Sequence, residues 1–193
     1  MAPMTKLILA SSSPRRHLLL SAAGFHFEVL APDVDETALE SEDPDRMVVR
    51  LAGAKALAVP AAMDAVVLGA DTTVVLDQTI LGKPVDEAEA ADMLLSIANR
   101  THLVITGWAL AQGGSIVEDG FETTLVSMHA VERGDAEAYA ASGEPLDKAG
   151  AYALQGNGAR FVSGLAGSRS NVVGLPLKPV VSALQRAGVA AAR

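Results

Sequence analysis

Cysteine is absent from all 193 residues, which excludes disulfides, thiolate nucleophiles and cysteine-ligated zinc together. That absence accords with a reducing cytoplasm, where we expect this protein to reside. A basic excess is also missing. The formal net charge is −8, so a nucleic-acid polymer is not the expected partner, because such partners call for a cationic face against the phosphates. The first apolar run, Leu7 to Ala10, is too short for a signal-peptide core or a membrane span, and no membrane association is expected.

Familiar catalytic signatures are missing too. Gly82-Lys83 is followed by Pro84 where a Walker A loop needs Ser or Thr, and Gly156 and Gly158 lack the third glycine of a dinucleotide fingerprint. No serine occupies a Gly-x-Ser-x-Gly elbow. The four histidines, His17, His26, His102 and His129, are too far apart in sequence to pair as metal ligands.

What is present is a chain half hydrophobic and one-fifth charged, enough to bury a full core. No repeat and no Pro-, Gly- or Ser-rich linker divides it, so one domain over residues 1–193 is expected. "KLILA" reads as a buried strand, followed by a helix from Pro14 with Ser13 as cap and Gly24 as stop. "FHFEVLAP" alternates as a strand does. Asp43 to Val59 carries a helical stripe of Met47, Val48, Leu51 and Ala58. "AVVLGADTTVVLDQTILGKP" reads as strand, turn at Asp77-Gln78, and short strand. Asp86 and Glu89 form a capping box ahead of a helix bearing Met93, Leu94 and Ile97. Two long strands flank Gly113-Gly114, a short helix covers Asp135 to Ser142, "AGAYALQGNGARFVSGLAG" reads as a hairpin, and Leu177 to Ala187 as a closing helix. Strand pairs mixed with separated helices predict an α/β fold on a mixed sheet.

Five groups of residues carry chemistry. Ser11, Ser13, Arg15 and Arg16 stand at a helix N-terminus. Free N–H groups, the positive dipole end and a guanidinium fork make an anion site there, although plain capping with solvated arginines accounts for the serines equally well. Lys55, four residues after Leu51, projects from an apolar stripe, either as a working ammonium or as a snorkelling side chain. Asp71 interrupts the apolar strand "VVLGADTTVVL", with hydroxyls of Thr72 and Thr73 beside it. An isolated buried carboxylate is costly, so it needs a partner, a metal or a bulge beside Gly69 that exposes it. Lys83 follows the hairpin. Asp147, Lys148, Tyr152 and Gln155 gather among glycines that either admit a ligand to the backbone or simply punctuate a hairpin. The Gln155 amide both donates and accepts, as a reader of a base edge must. Together the cations, acids and amide suit a nucleoside phosphate with a divalent metal.

"LILASSSPRRHLLLSAAG", "VVLGADTTVVLDQTILGKP", "EPLDKAGAYALQGNGARFV" and "SNVVGLPL" resemble, in order and over nearly the whole chain, the Maf family of nucleotide pyrophosphatases. The resemblance implies a Maf/inosine-triphosphatase-like α/β fold, with a mixed elongated β-sheet flanked by helices and usually dimeric. It implies hydrolysis of a nucleoside triphosphate to monophosphate and pyrophosphate with Mg2+ or Mn2+. On the matching motifs it places Asp71 as proton acceptor, with Arg16, Lys55 and Lys83 as phosphate-binding cations. Glu36 would share the metal with Asp71, and Ser11 and Ser13 would line the substrate. Arg15, Thr72 and Gln155 match positions that set base preference in the branch acting on dTTP and UTP. Arg169 and Met128 depart from the family's usual residues. Two alternatives stay open: the same reaction on 7-methyl-GTP or another modified purine, and a nucleotide-binding regulator of septum formation without turnover.

Overall fold

The computed structural model describes residues 5–191. In chain order the elements are β1 (Leu7–Ala10), α1 (Pro14–Ala22), β2 (Glu28–Val29), α2 (Pro44–Ala58), β3 (Val66–Leu76), β4 (Thr79–Leu81), α3 (Glu87–Ile97), β5 (Thr101–Gln112), β6 (Ser115–Met128), α4 (Arg133–Ala140), 3-10 turns at Ala149–Ala151 and Asn157–Phe161, β7 (Val162–Ala166), α5 (Arg169–Val173) and α6 (Leu177–Arg186). The strands form one seven-stranded sheet in the order β2-β1-β3-β5-β6-β7, with β4 pairing β3 off that path. It is mixed: β1 runs parallel to β2 and β3, while β3/β4 and β6/β7 are antiparallel. The α/β expectation is met.

The chain forms two compact units. Among the described residues the first comprises 5–71, 106–122 and 174–191. Its strand β1 is buried on both faces, the usual condition of a parallel strand. Leu7 and Leu9 join Leu20, Leu68, Trp108 and Leu184 in one core, whereas Ile8 and Ala10 join Ala56, Val59, Val67 and Ala111 in another. That alternation follows from the two-residue period of a strand. Helix α2 lies close to the sheet because two glycines face it. A Cβ on Gly69 would stand 2.1 Å from the Ala52 carbonyl oxygen, and one on Gly107 2.4 Å from the Val48 carbonyl carbon.

The second unit comprises residues 72–105 and 123–173. Val74, Leu94, Ile97, Val126, Tyr139, Tyr152 and Phe161 are among its core residues. Asp77 and Gln78, with φ of 47° and 70°, turn β3 into β4. Asp86 Oδ1 accepts the Glu89 N–H at 2.8 Å, the expected cap on α3, while Glu89 Oε2 accepts the N–H of Val85 at 2.6 Å, one residue before the Asp86 N–H that a capping box uses.

Several local expectations require correction. "FHFEVLAP" holds only the two-residue strand Glu28–Val29. The buried stripe of α2 is Met47, Val48, Leu51, Ala52, Lys55 and Ala56, and Ala58 is exposed at its end. Ser13 occupies the N-cap position of α1 but makes no side-chain capping bond. Helix α4 starts two residues earlier than the pattern implies. The expected hairpin over 149–167 is replaced by two 3-10 turns and strand β7, because the positive φ values of Gly150, Ala151 and Gly156 fold the chain back before it can extend.

Candidate active site

Three of the expected residues meet in the first unit. Lys55 is carried on the buried stripe of α2 and is only 8% exposed; Asp71, on β3, is 9% exposed. Lys55 Nζ lies 2.6 Å from Asp71 Oδ1 and 2.6 Å from Glu36 Oε1. Strand periodicity explains the pairing, since Asp71 shares the Val67 and Gly69 face, on which α2 lies. The ammonium is bracketed by two carboxylates, so the buried aspartate has the partner that its burial demands. Glu36 comes from the loop between β2 and α2, and about half of its side chain is exposed, leaving the triad open to solvent on that side.

Arg16 lies in the field of this triad. Its Nε donates to the Gly174 carbonyl at 2.8 Å and its Nη1 to Ser11 Oγ at 3.4 Å. Burial pulls the guanidinium pKa down and the neighbouring Arg15 adds to that, while Asp71 and Glu36 oppose both. A desolvated cation beside two acids and a second cation is placed to receive an anion. Ser11 is a structural node as well: its Oγ accepts the Ser13 N–H at 3.1 Å, and the His17 ring donates to its carbonyl at 2.8 Å. Ser13 and Arg15 are half-buried on α1 and its cap.

Sequence reasoning missed the clasp that holds the Glu36 loop. Arg50 on α2 forks onto Glu42, with Nε–Oε1 and Nη2–Oε2 both at 2.6 Å, and its Nη2 also reaches the Thr37 carbonyl at 3.2 Å. Asp35 Oδ1 accepts the Thr37 N–H at 2.9 Å. An eight-residue separation between Glu42 and Arg50 is no helical pairing distance, so only the approach of the loop to α2 reveals it.

Thr72, Lys83 and Gln155 belong to the second unit. Thr72 is the next residue on β3 after Asp71 and is half-buried. Lys83 is exposed on the loop after β4, and Gln155 is exposed between the two 3-10 turns. The Gly150 N–H donates to the Gly82 carbonyl at 3.1 Å, which ties the Lys83 loop to the segment leading to Gln155. Of the two departures from the family pattern, Met128 is buried in the core of this unit, and Arg169 Nη2 reaches the Leu154 carbonyl at 3.4 Å.

Among the described residues no group of three or more His, Cys, Asp or Glu converges. Glu36 and Asp71 each place one oxygen on Lys55. Two carboxylates supplemented by substrate oxygens are a donor set that Mg2+ or Mn2+ accepts, so the residues present fit such an ion. No helix among the described residues is long and apolar enough to cross a membrane.

The fold and this site define a mixed α/β protein with a buried lysine–aspartate pair, joined on its open side by the exposed Glu36, beside Arg16. The family described as "Maf-like protein" matches residues 6–187, and the chain belongs to that family. It is 50% identical over 189 residues to the dTTP/UTP pyrophosphatase of Myxococcus xanthus (strain DK1622), covering 97% of this chain and 95% of that protein. It is 46% identical over 186 residues to the dTTP/UTP pyrophosphatase of Symbiobacterium thermophilum, covering 96% and 95%. To that of Vibrio cholerae serotype O1 it is 47% identical over 176 residues, covering 90% and 94%. The crystal structure of a nucleoside-triphosphatase / dITP/XTP pyrophosphatase from Mycobacterium abscessus shares 14% identity over 95% of each chain with a TM-score of 0.43, a likeness too distant to carry an argument.

Proposed function

We propose that the chain is a pyrimidine nucleoside triphosphate pyrophosphatase, acting on dTTP, UTP and their modified forms as a single nucleotide-pool house-cleaning domain. The observation that carries this reading is the Glu36–Lys55–Asp71 triad, with both contacts at 2.6 Å, in a chain 50% identical to a dTTP/UTP pyrophosphatase. In this reading water attacks the α-phosphorus. A new P–O bond forms, the bond from the α-phosphorus to the bridging oxygen breaks, and pyrophosphate leaves with the electron pair.

Asp71 accepts the proton of the attacking water, and Lys55, 2.6 Å from its Oδ1, holds that carboxylate in one orientation. Arg16, Lys55 and Lys83 neutralise the charge that moves toward the leaving group. Ser11 and Ser13 offer hydroxyls to the substrate. Arg15, Thr72 and Gln155 face the base, and uracil or thymine presents acceptor, donor, acceptor to an amide of this kind. Glu36 and Asp71 would hold Mg2+ or Mn2+, which when bound supplies charge neutralisation and a more acidic water. A cytoplasmic location and a homodimer complete the proposal, both on the family resemblance.

The test is a panel of nucleoside triphosphates with and without Mg2+ or Mn2+, with pyrophosphate measured against phosphate. Metal-dependent pyrophosphate from dTTP and UTP is expected. Turnover of methylated purines in their place would overturn the base assignment, and no turnover of any nucleotide would overturn the reaction.

A further inference from the structure

Gln155, Gly156 and Asn157 are exposed between buried neighbours, yet the backbone around them is tied within the second unit. The Ala153 N–H donates to the Tyr139 hydroxyl at 3.1 Å, and that hydroxyl donates onward to Glu144 Oε1 at 2.9 Å. Glu144 Oε1 also accepts the Gly158 N–H, and Glu144 Oε2 the Asn157 N–H, both at 3.1 Å. One carboxylate thus takes three donors, two of them from the two residues that follow Gly156. The Leu154 carbonyl is held by Arg169. Gln155 stands between these anchors, and the residues bonded on either side of it leave its own amide exposed.

The glycines of "QGNG" fit this arrangement. Gly156 has φ of 126°, and a Cβ there would stand 2.8 Å from Glu144 Oε1; a Cβ on Gly158 would stand 2.5 Å from the Tyr139 hydroxyl and 2.7 Å from the Ala153 nitrogen. Side chains at either position would force the loop off the carboxylate. Glu144 itself favours the ionised state. Burial pushes its pKa up, but the hydrogen bonds from Gly158, Asn157 and Tyr139 and the charge of Lys148 outweigh that, and the net direction is down. Only an acceptor at both oxygens satisfies these donors.

We infer that Glu144, acting with Tyr139, is a positioning residue for base selection: it fixes the loop on which Gln155 presents its amide. The inference rests on the reading that Gln155 contacts the base. A preorganised amide discriminates uracil, with its acceptor at position 4, from cytosine, with a donor there; a mobile amide adapts to both. The triad at Asp71 takes no part, so the effect falls on selectivity and KM rather than on the chemical step.

The experiment measures kcat and KM for UTP and CTP in the full-length wild-type protein, Glu144→Gln, Gln155→Ala and the double variant. Glu144→Gln keeps the shape but turns an NH2 toward a backbone N–H. We expect it to lower the UTP-over-CTP ratio of kcat/KM about tenfold through KM for UTP, with kcat little changed. In the Gln155→Ala background the same substitution should have no further effect on that ratio, because nothing remains to be positioned. Equal losses in both backgrounds, or a fall in kcat on both nucleotides with the ratio intact, would overturn the inference and leave Gln155 as base reader. An unchanged ratio in Gln155→Ala alone would remove the base reading itself. If Glu144→Gln does not fold, Tyr139→Phe removes only the bridging hydroxyl, keeps the ring packed on Phe161, and must lower the ratio in the same way.

Discussion

Lys55 Nζ and Asp71 Oδ1 lie 2.6 Å apart, with less than one-tenth of either residue exposed. The pair joins helix α2 to strand β3; without Lys55 the buried Asp71 loses the partner its burial demands, whereas Lys55 without Asp71 keeps Glu36. Removal of one partner from a buried ion pair costs about 3–5 kcal/mol, whereas removal of both is often far milder. Lys55→Met should therefore destabilise the protein by about that amount, and Lys55→Met/Asp71→Asn by clearly less. Urea unfolding followed by the single Trp108, which lies in the core of the same unit, reads both. A double variant as unstable as Lys55→Met would mean that the lysine stabilises by packing alone.

The glycine seat of α2 predicts a second effect. Gly69→Ala would press a methyl group into the Ala52 carbonyl at 2.1 Å, against backbone that cannot rotate away. Overpacking of this kind costs about 1–3 kcal/mol or more, and it moves α2, and with it Lys55, off Asp71. Activity should fall with stability. Gly134→Ala in α4, where an added Cβ meets nothing within 4 Å, should stabilise by about 0.5–1 kcal/mol and leave activity unchanged. Thermal melts and steady-state turnover of the two variants separate the cases.

His102 predicts a pH effect. It is 2% exposed, its Nε2 lies 2.9 Å from the Tyr152 hydroxyl, and burial pulls its pKa down to about 4. The unfolded chain holds this group near pH 6.5, so between the two values the unfolded state binds the extra proton. Its contribution to stability is complete above about pH 6.5 and is lost as the pH falls toward 4, by up to about 1.4 kcal/mol per pH unit. Urea midpoints of wild type and His102→Asn, compared from pH 7 to 4, should converge on acidification. A constant gap would contradict the buried neutral imidazole.

The Arg50–Glu42 clasp predicts a loop effect. Arg50→Ala removes the clasp and leaves the Glu36 loop tied to α2 through Lys55; if Glu36 holds the metal as proposed, turnover should fall several-fold at limiting Mg2+ and recover at high Mg2+. Turnover against Mg2+ concentration checks this, and a loss that no concentration recovers would contradict it.

The parts of this protein legible in the sequence are those with a period. Strand β1 is one apolar run, β3 and β5 nearly so, α2 shows its stripe, and Lys55 falls on that stripe. Asp71 announced itself by interrupting β3. The partner relation between them needed the sheet, because sixteen residues separate them and only the approach of α2 over Gly69 closes the distance. Glu36 lies in a loop without periodicity, so its contact with Lys55 had no signal apart from the family resemblance. Tyr139 and Glu144 are hidden for a related reason: Gly156 and Gly158 read as hairpin punctuation, whereas they make room for the Glu144 carboxylate and the Tyr139 hydroxyl.

In the proposed reaction water attacks the α-phosphorus with Asp71 as proton acceptor. The most direct measurement is turnover of UTP in water enriched in the heavy oxygen isotope, with mass spectrometry of both products, by wild type and Asp71→Asn. Label is expected in UMP and none in pyrophosphate, with turnover by Asp71→Asn reduced by about a hundredfold or more. Label in pyrophosphate, or near-full turnover by Asp71→Asn at saturating metal, would contradict it.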